Sequence, residues 1–187
     1  MKRRTTPSLA HSFLRAAFVL AGAWLLPFAA PPSTVALSEK AYNLVLKQGD
    51  PAPEFDVTAL DGSRFTTADL KGKAVVLNFW FIACPPCREE IPRLNQLVEH
   101  FRDQPVVFIG LAADPPPLLT VFLKKNPFRY HVVPNATSIA NRFGIDGAPT
   151  HVILDTQGRV VHFVRGAVKD VGTELRPWIE RALAGSE

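Results

Sequence analysis

The sequence predicts an α/β fold in which helices flank a central mixed β-sheet. Two apolar runs of strand length, "AVVLNFWF" at 74–81 and "PVVFIGLAA" at 105–113, are typical of buried strands. Segments with helical signals follow each of these runs. The chain then closes with two strand-like segments and a final helix. Strands that first alternate with helices and then form a hairpin indicate a mixed sheet.

A hairpin and a helix are predicted on the two sides of the first apolar run. "EFDVTALDGSRFTTADL" alternates in polarity around Asp61-Gly62, which is typical of a β-hairpin turn. A helix is predicted from about Pro86, because apolar residues recur there at helical spacing with charges between them. The apolar positions are Ile91, Leu94, Leu97, Val98 and Phe101.

The second half of the chain adds three helices and three strands. Prolines suit the entry of the helix in "DPPPLLTVFLKKN", and "YHVVP" follows as a short strand. "NATSIANRFGI" is predicted to be a helix with Asn135 or Thr137 as its N-cap and Gly144 as its stop. "THVILD" and "RVVHFVRG" form a hairpin through "TQG", and "DVGTELRPWIERALAG" is the closing helix.

The composition indicates one globular domain with an added segment. The chain has 187 residues, of which 47% are hydrophobic and 20% are charged. Two cysteines are too few for a disulfide scaffold or a four-thiolate zinc site. The formal net charge is +4, and Lys2, Arg3, Arg4 and Arg15 all precede the first apolar segment. The rest of the chain is close to neutral, so no nucleic-acid partner is predicted.

The N-terminus resembles an export signal. "MKRRTTPSLAHSFLR" is positively charged, and residues 16–30, "AAFVLAGAWLLPFAA", form an uncharged apolar run. This run is shorter than the roughly 20 residues of a spanning helix. We predict a signal peptide or N-terminal membrane anchor over 1–36, a linker over 37–48 and a domain over 49–187. The charge order places the domain on the outer side of the membrane.

The chemistry is predicted to lie in "NFWFIACPPCREEIP", which contains both cysteines. The strand ends just before Cys84 and the helix begins at about Pro86, which puts Cys84 at a helix N-terminus. Unpaired N–H groups and the helix dipole favour a thiolate there and can lower a cysteine pKa from about 8.5 to roughly 3.5–7.5. Cys87 lies one turn further on, is expected to be less exposed, and can resolve a mixed disulfide formed at Cys84.

Two other interpretations of the cysteine pair fit the sequence less well. A metal clip lacks a second cysteine pair and a C-x-x-C…H-x-x-x-H spacing. A structural disulfide that closes so short a loop restricts the unfolded chain little, so it is expected to stabilise the fold only slightly. Redox chemistry is therefore favoured, and a metal-binding or thiol-holding module without turnover is the alternative.

The same stretch resembles a known family. "VVLNFWFIACPPCREEIP" is similar to the active-site strand and helix of the TlpA/ResA-like branch of the thioredoxin superfamily. "GDPAPEFDVTALDGSRFTTADLKGK" and "GIDGAPTHVILDTQGRVVHFVRG" resemble its N-terminal hairpin and its later strands. The resemblance implies a thioredoxin-like fold with a hairpin extension and a central insertion. It also implies an extracytoplasmic protein that needs no cofactor and reduces disulfides of partner proteins, with cytochrome c maturation among the family's roles.

The resemblance assigns roles to further residues. "GAPT" is similar to the superfamily's cis-proline loop, which implies a cis Ala148–Pro149 bond beside the cysteines and a backbone edge that pairs with the substrate chain. Glu90 matches a glutamate that ResA-like proteins place near the disulfide, where a carboxylate can accept a proton or raise a thiol pKa. Asn78 stands where thioredoxins have a buried aspartate, so Glu90 is expected to replace it in proton transfer. The other interpretation of Asn78 is that it is only a buried amide whose hydrogen bonds are satisfied.

Two aromatic positions complete the resemblance. Trp80 matches an aromatic residue near the active site, and a role in the core alone would also explain it. Ala83 departs from the family, since many relatives have a tryptophan there, and its small side chain is expected to leave Cys84 more open. A Cys–His hydrolase of Cys84 with His151 would leave Cys87 unexplained. A peroxiredoxin would need a threonine where Phe81 stands.

The sequence therefore predicts an exported thiol–disulfide oxidoreductase. Its predicted substrate is a disulfide-containing exported protein such as apocytochrome c. A reductive role in an oxidising compartment requires a membrane-embedded electron donor as second partner. Residues 16–30 could also tether the protein to the outer face of the cytoplasmic membrane. The third interpretation is an oxidase that donates its disulfide.

Overall fold

The computed structural model describes residues 46–185. The predicted signal peptide or anchor over 1–36 lies outside the described residues, as does most of the predicted linker over 37–48. The tether over 16–30 lies outside them too. The domain boundary at residue 49 stays a prediction. Between residues 46 and 185, no helix combines the length and the apolar character needed to cross a membrane.

Seven strands and four helices make up the described part of the chain. The strands are β1 (Asp56–Thr58), β2 (Arg64–Thr66), β3 (Ala74–Trp80), β4 (Val106–Ala112), β5 (His131–Val133), β6 (Thr150–Leu154) and β7 (Val160–Arg165). The helices are α1 (Pro85–His100), α2 (Pro116–Lys125), α3 (Thr137–Arg142) and α4 (Val171–Ala184).

Five strands form a mixed sheet in the order β5-β4-β3-β6-β7. β3, β4 and β5 run parallel, whereas β6 pairs antiparallel with both β3 and β7. This is the mixed sheet and the thioredoxin-like fold that the sequence predicted. β5 lies at the edge of the sheet, beside β4, and the predicted central insertion stays a prediction.

β3 is the centre of the structure, and all seven of its residues are buried. Alternate side chains enter two separate cores. Val75, Leu77 and Phe79 lie in one core with α3 and the hairpin. Ala74 and Val76 lie in the other core, with α1 and α4. Helices or loops therefore cover both faces, which explains why the β3 sequence is nearly continuous in apolar residues.

β1 and β2 form the predicted two-stranded hairpin, joined through Asp61-Gly62. Gly62 has a φ of 86°, in the left-handed region that glycine adopts without a steric penalty. The hairpin is fastened to β5, because Leu60 N–H donates to the Val132 carbonyl at 2.8 Å. Asp61 Oδ2 also lies 2.7 Å from His131 Nδ1.

The predicted ends of the elements differ from the structure by one or two residues. α1 begins at Pro85, one residue earlier than predicted, and β3 ends at Trp80. The N-cap of α3 is Ala136, so the prediction of Asn135 or Thr137 was wrong. Asn135 instead takes a φ of 53°, a left-handed conformation in which asparagine is common.

Candidate functional site: a buried disulfide and a polar cluster beneath it

Cys84 and Cys87 form a disulfide at the start of α1, with their Cα atoms 5.3 Å apart. Cys84 is the N-cap, in an extended conformation with φ −92° and ψ 104°. Its Sγ accepts a hydrogen bond from the Cys87 backbone N–H at 3.3 Å. The free N–H groups of a first helical turn and the positive end of the helix dipole both favour a thiolate at this place.

Both cysteines are buried in the disulfide form. Cys84 is 3% exposed and Cys87 is 1% exposed, so the predicted order holds by a small margin. Ala83 is exposed. The expectation that alanine there leaves Cys84 more open than a tryptophan would stays a prediction. Trp80, Ile91 and Leu119 belong to the buried apolar cluster that contains both cysteines.

The segment that leads from β3 to Cys84 is held by Asp114, just after β4. Asp114 Oδ2 accepts a hydrogen bond from the Ile82 backbone N–H at 2.7 Å. Ala113 N–H donates to the Trp80 carbonyl at 3.1 Å, and Cys84 N–H donates to the Phe81 carbonyl at the same distance. The position of the first cysteine therefore depends on the adjacent parallel strand as well as on its own helix.

The Ala148–Pro149 peptide bond is cis, as predicted. Pro149 is buried, and its carbonyl accepts a hydrogen bond from Gly166 N–H at 2.8 Å. Thr150 Oγ1 donates to the Gly147 carbonyl, also at 2.8 Å. Ala148 packs against the cluster that contains both cysteines. The loop and the disulfide therefore lie together, although two helices and two strands separate α1 from the loop in the chain.

A cavity of about 290 Å³ opens beside this loop. Phe81, which is 37% exposed, forms part of its wall just before the cysteine pair. Gly147 and Ala148 line it from the cis-proline loop, and Thr137 and Asn141 line it from α3. The cavity is large enough for a side chain of a polypeptide that approaches the disulfide.

Glu90 lies on the buried side of α1, whereas Glu89 is exposed. Glu90 is 6% exposed, and its Oε2 lies 3.0 Å from Nε2 of the fully buried His151. On the sequence alone, His151 is a candidate partner of Cys84 only. The structure instead pairs it with the carboxylate that was singled out for proton transfer.

Asn78 lies in the sheet between Gly110 of β4 and His151 of β6. It is 1% exposed, and within residues 46–185 its Oδ1 has no hydrogen-bond partner. The interpretation of Asn78 as a satisfied buried amide is therefore wrong. Tyr130, directly before β5, is also buried, and the pKa of its phenol is raised by burial and, secondarily, by the negative charge of Glu90.

These residues form what we term the buried polar cluster: Asn78, Trp80, Glu90, Tyr130 and His151. Each has one buried polar atom that lacks a hydrogen-bond partner among the described residues. The atoms are Asn78 Oδ1, Trp80 Nε1, Glu90 Oε1, Tyr130 Oη and His151 Nδ1. Proteins leave few buried polar atoms unpaired, and such groups often have a chemical role. The role of Trp80 in the apolar core is clear from its contacts with Phe122 and Phe128.

Sequence reasoning missed Tyr130 and Asp114 in this site, and it considered His151 only as a partner of Cys84. His151 and Tyr130 had signals, since each is a titratable residue at the end of an apolar strand segment. Asp114 was assigned only to the entry of a helix. In the part of the chain that the structure describes, no group of three or more His, Cys, Asp or Glu side chains is placed to hold a metal ion.

Proteins that place a Cys-x-x-Cys pair at the first helix of this sheet, against a cis-proline loop, are thiol–disulfide oxidoreductases of the thioredoxin fold. Comparisons with known proteins put the chain in that class. It belongs to the AhpC/TSA family, whose model matches residues 48–163.

The relatives are named as thiol-disulfide oxidoreductases. A thiol-disulfide oxidoreductase ResA of Bacillus cereus is 35% identical over 120 residues, which cover 63% of this chain and 69% of that protein. ResA of Bacillus subtilis (strain 168) is 29% identical over 143 residues, which cover 72% and 80%. The redox pair of this ResA-like chain is Cys84–Cys87.

Solved structures agree with this assignment. A thiol:disulfide interchange protein of the thioredoxin family from Chlorobium tepidum TLS superposes with a TM-score of 0.63 at 30% identity, covering 73% of this chain and 98% of that one. A secreted Mycobacterium tuberculosis disulfide oxidoreductase homologous to E. coli DsbE has a TM-score of 0.58 at 28% identity, covering 68% and 95%.

Proposed function

We propose that this protein reduces disulfides of exported proteins outside the cytoplasm, with Cys84 as the attacking thiol and Cys87 as the resolving thiol. The observation that carries the proposal is the position of Cys84 as the N-cap of α1. Its sulfur receives the Cys87 N–H and faces the positive end of the helix. A thiolate is stabilised there, and the thiolate is the species that attacks a disulfide.

The reaction balances in two exchanges. The Cys84 thiolate forms a bond to one sulfur of the partner's disulfide, that disulfide breaks, and the leaving sulfur takes up a proton. Cys87 then loses its proton and attacks the Cys84 sulfur, which releases the second partner sulfur as a thiolate. The partner gains two electrons and becomes a dithiol, while Cys84 and Cys87 lose two electrons and become a disulfide.

Glu90 is proposed as the group that accepts the Cys87 proton. It lies three residues after Cys87 on α1, so the two side chains share one face of the helix. Glu90 is buried beside apolar residues, and its Oε1 has no hydrogen-bond partner within the described residues. Asn78 cannot take this role, because an amide does not exchange protons as a carboxylate does.

The cis-proline loop and its cavity are proposed to receive the partner. Ala148 packs against the cluster that contains the disulfide, and an extended chain can pair with the backbone of this loop as an added strand. The apolar wall formed by Phe81 and Ala148 suits a side chain next to the partner's cysteine. The resemblance to the ResA-like branch makes apocytochrome c one candidate partner.

The direction of electron flow is proposed from the compartment. The positively charged and apolar N-terminal segments suggest export, with residues 16–30 as a signal peptide core or a tether. Outside the cytoplasm a dithiol is oxidised unless electrons arrive, so a membrane-embedded donor must reduce Cys84–Cys87 between turnovers. No cofactor enters these exchanges.

A trapping experiment tests the roles of the two cysteines. The reduced Cys87→Ser variant, mixed with a disulfide-containing exported protein, should accumulate a covalent complex that contains Cys84. The Cys84→Ser variant is the matched control and should accumulate none. Complexes that run through Cys87, or no complex with either variant, would contradict the assignment.

A redox titration against glutathione tests the direction. A potential near about −270 mV supports a reductant, and one near about −120 mV supports an oxidase that donates its disulfide. Metal analysis of the reduced protein, run beside a disulfide-reduction assay, covers the remaining alternative. Stoichiometric copper or zinc without turnover would favour a metal-binding module.

A further inference from the structure

The pair of Glu90 and His151 has a geometry that the exchange reaction alone does not require. Glu90 Oε2 and His151 Nε2 are 3.0 Å apart, and both side chains are buried. A hydrogen bond at this distance needs one proton between the two atoms. When His151 is neutral with its proton on Nε2, it donates to an ionised Glu90. The second carboxylate oxygen, Oε1, is then left to accept another proton.

Two different elements fix the two halves of this pair. His151 belongs to β6, two residues after the cis-proline, and sits directly opposite Asn78 of β3. Glu90 belongs to α1, one turn after Cys87. The sheet therefore fixes the imidazole while the helix carries both the carboxylate and the resolving thiol. A hydrogen bond between them sets the orientation of the carboxylate relative to the thiol on its own helix.

We propose that His151 is the positioning residue for the resolving step: its Nε2–H holds the Glu90 carboxylate in the orientation in which it can accept the Cys87 proton. This inference rests on the proposed function, because it assigns His151 to the second of the two exchanges. His151 does not touch the reacting sulfurs and acts through Glu90.

Among the described groups that surround Glu90, His151 is the one that forms an ion pair with its carboxylate. From β3 comes Asn78, which carries no charge, and from the start of β5 comes Tyr130, whose raised phenol pKa keeps it protonated and neutral. On α1 the charged neighbours Arg88, Glu89 and Arg93 are exposed. α4 contributes apolar side chains to the core beneath α1, among them Val171, Leu175 and Ile179. Within residues 46–185, the ion pairs of Glu90 comprise only the one with His151.

Removal of the histidine should therefore release its partner. Without the Nε2–H donor, the carboxylate of Glu90 can turn away from the orientation that the hydrogen bond sets, and the transfer of the Cys87 proton to it should slow. The first exchange, at Cys84, does not use this proton transfer.

The two exchanges can be followed in one stopped-flow trace with the reduced full-length protein and dithiobis(nitrobenzoate). Attack by Cys84 releases one coloured thionitrobenzoate, and attack by Cys87 on the resulting adduct releases the second. For His151→Leu we expect a first phase within about twofold of wild type. The second phase at neutral pH should fall at least about tenfold, because proton transfer by a positioned group contributes a factor of this order or more.

Two further variants distinguish positioning from a merely structural role. His151→Gln keeps an N–H donor without a titrating ring and should restore most of the second-phase rate. Glu90→Gln should reproduce the slow second phase, and the double variant Glu90→Gln/His151→Leu should be no slower than Glu90→Gln. His162→Leu is the matched control. His162 lies on β7, the neighbour of β6, and its partner is Glu174 of α4, not Glu90.

An unchanged second-phase rate in His151→Leu would overturn the inference, and so would independent, multiplicative losses in the double variant. Failure of His151→Gln to restore the rate would also overturn it. A variant that does not fold still reacts through its exposed thiols, so circular dichroism identifies it, and the comparison then uses His151→Gln and Glu90→Gln. A wild-type protein that shows no second phase, or leaves protein disulfides intact, contradicts the proposed function instead.

Discussion

Gly110 and Trp80 approach each other so closely that even a methyl group at residue 110 would press on the indole. A methyl group there would lie 3.2 Å from Trp80 Nε1 and 3.1 Å from Phe128 Cε1. Gly110 is also the partner of Asn78 across β3 and β4. The absence of a side chain at this point of β4 therefore makes room for the indole next to the buried polar cluster.

Gly110→Ala should destabilise the oxidised protein by about 1–3 kcal/mol, because Trp80 and Phe128 must both shift in a tightly packed core. Denaturant unfolding with tryptophan fluorescence measures the change. Gly147→Ala is the matched control, since a methyl group there has no heavy atom within 4 Å and its φ is not left-handed. We expect that control to change stability by less than about 0.5 kcal/mol. Equal effects at the two positions would contradict the packing argument.

The Glu90–His151 pair should show strong coupling in a double-mutant cycle of stability. His151→Leu leaves a buried carboxylate without its partner, and Glu90→Leu leaves a buried imidazole N–H unpaired, so each should cost about 1–3 kcal/mol. The double variant Glu90→Leu/His151→Leu should cost less than the sum, because apolar pairs often replace buried ion pairs at little cost. Urea unfolding of the four oxidised proteins gives the coupling energy, and strictly additive losses would show that the two groups do not interact.

The hydrogen bond from Ile82 to Asp114 should stabilise the segment that leads to Cys84. Asp114→Ala removes the acceptor of the Ile82 N–H and should lower the free energy of unfolding by about 1 kcal/mol. Asp114→Asn keeps a carbonyl acceptor of the same size and should retain most of that stability. Amide hydrogen exchange at Ile82 provides the local measurement. Equal protection of this amide in wild type and Asp114→Ala would count against the assignment.

His162 should make the protein less stable at mildly acidic pH. Partial burial lowers its pKa below the ordinary value of 6.5, and the nearby Glu174 opposes that shift only in part. Below about pH 6.5 the unfolded chain therefore binds more protons at this residue than the folded protein does, and stability falls as pH decreases. The ring also stacks on Trp178 at 4.1 Å.

The corresponding variant is His162→Gln, which does not titrate. Between about pH 7 and about pH 5, its free energy of unfolding should fall less steeply than that of wild type, as measured by urea unfolding at several pH values. Parallel curves for the two proteins would show that His162 does not contribute. The other histidines are present in both proteins, so the difference between the curves isolates this one.

Local sequence patterns were sufficient for the parts of the site that lie close together in the chain. The apolar run before Cys84 predicted a buried strand, and β3 is buried at every position. Helical spacing after Pro86 predicted α1 to within one residue, which placed Cys84 at a helix N-terminus. These features depend on the backbone propensity and the burial of a single chain segment. A stretch of consecutive residues is enough to predict both.

The identity of α3's N-cap was not predictable in this way. Asn135 and Thr137 both have suitable side chains, but the chain enters α3 from β5 and is fastened by Ala136 N–H to the Ala112 carbonyl of β4. That long-range hydrogen bond, together with the one from Asn135 N–H to the Asp114 carbonyl, sets where the helix begins. Tertiary contacts here outweigh the local preference for a capping side chain.

The sequence by itself determined the fold class and the position of the cysteine pair at a helix N-terminus. Through the family resemblance it also indicated the cis-proline and Glu90 as a candidate for proton transfer. The tertiary structure alone decided which group Glu90 meets. His151 is 61 residues away, and only the antiparallel register of β6 on β3 brings its ring beneath α1. A register shift of one residue would turn His151 to the opposite face of the sheet. Strand pairing depends on the whole core, so a short stretch of sequence cannot specify it.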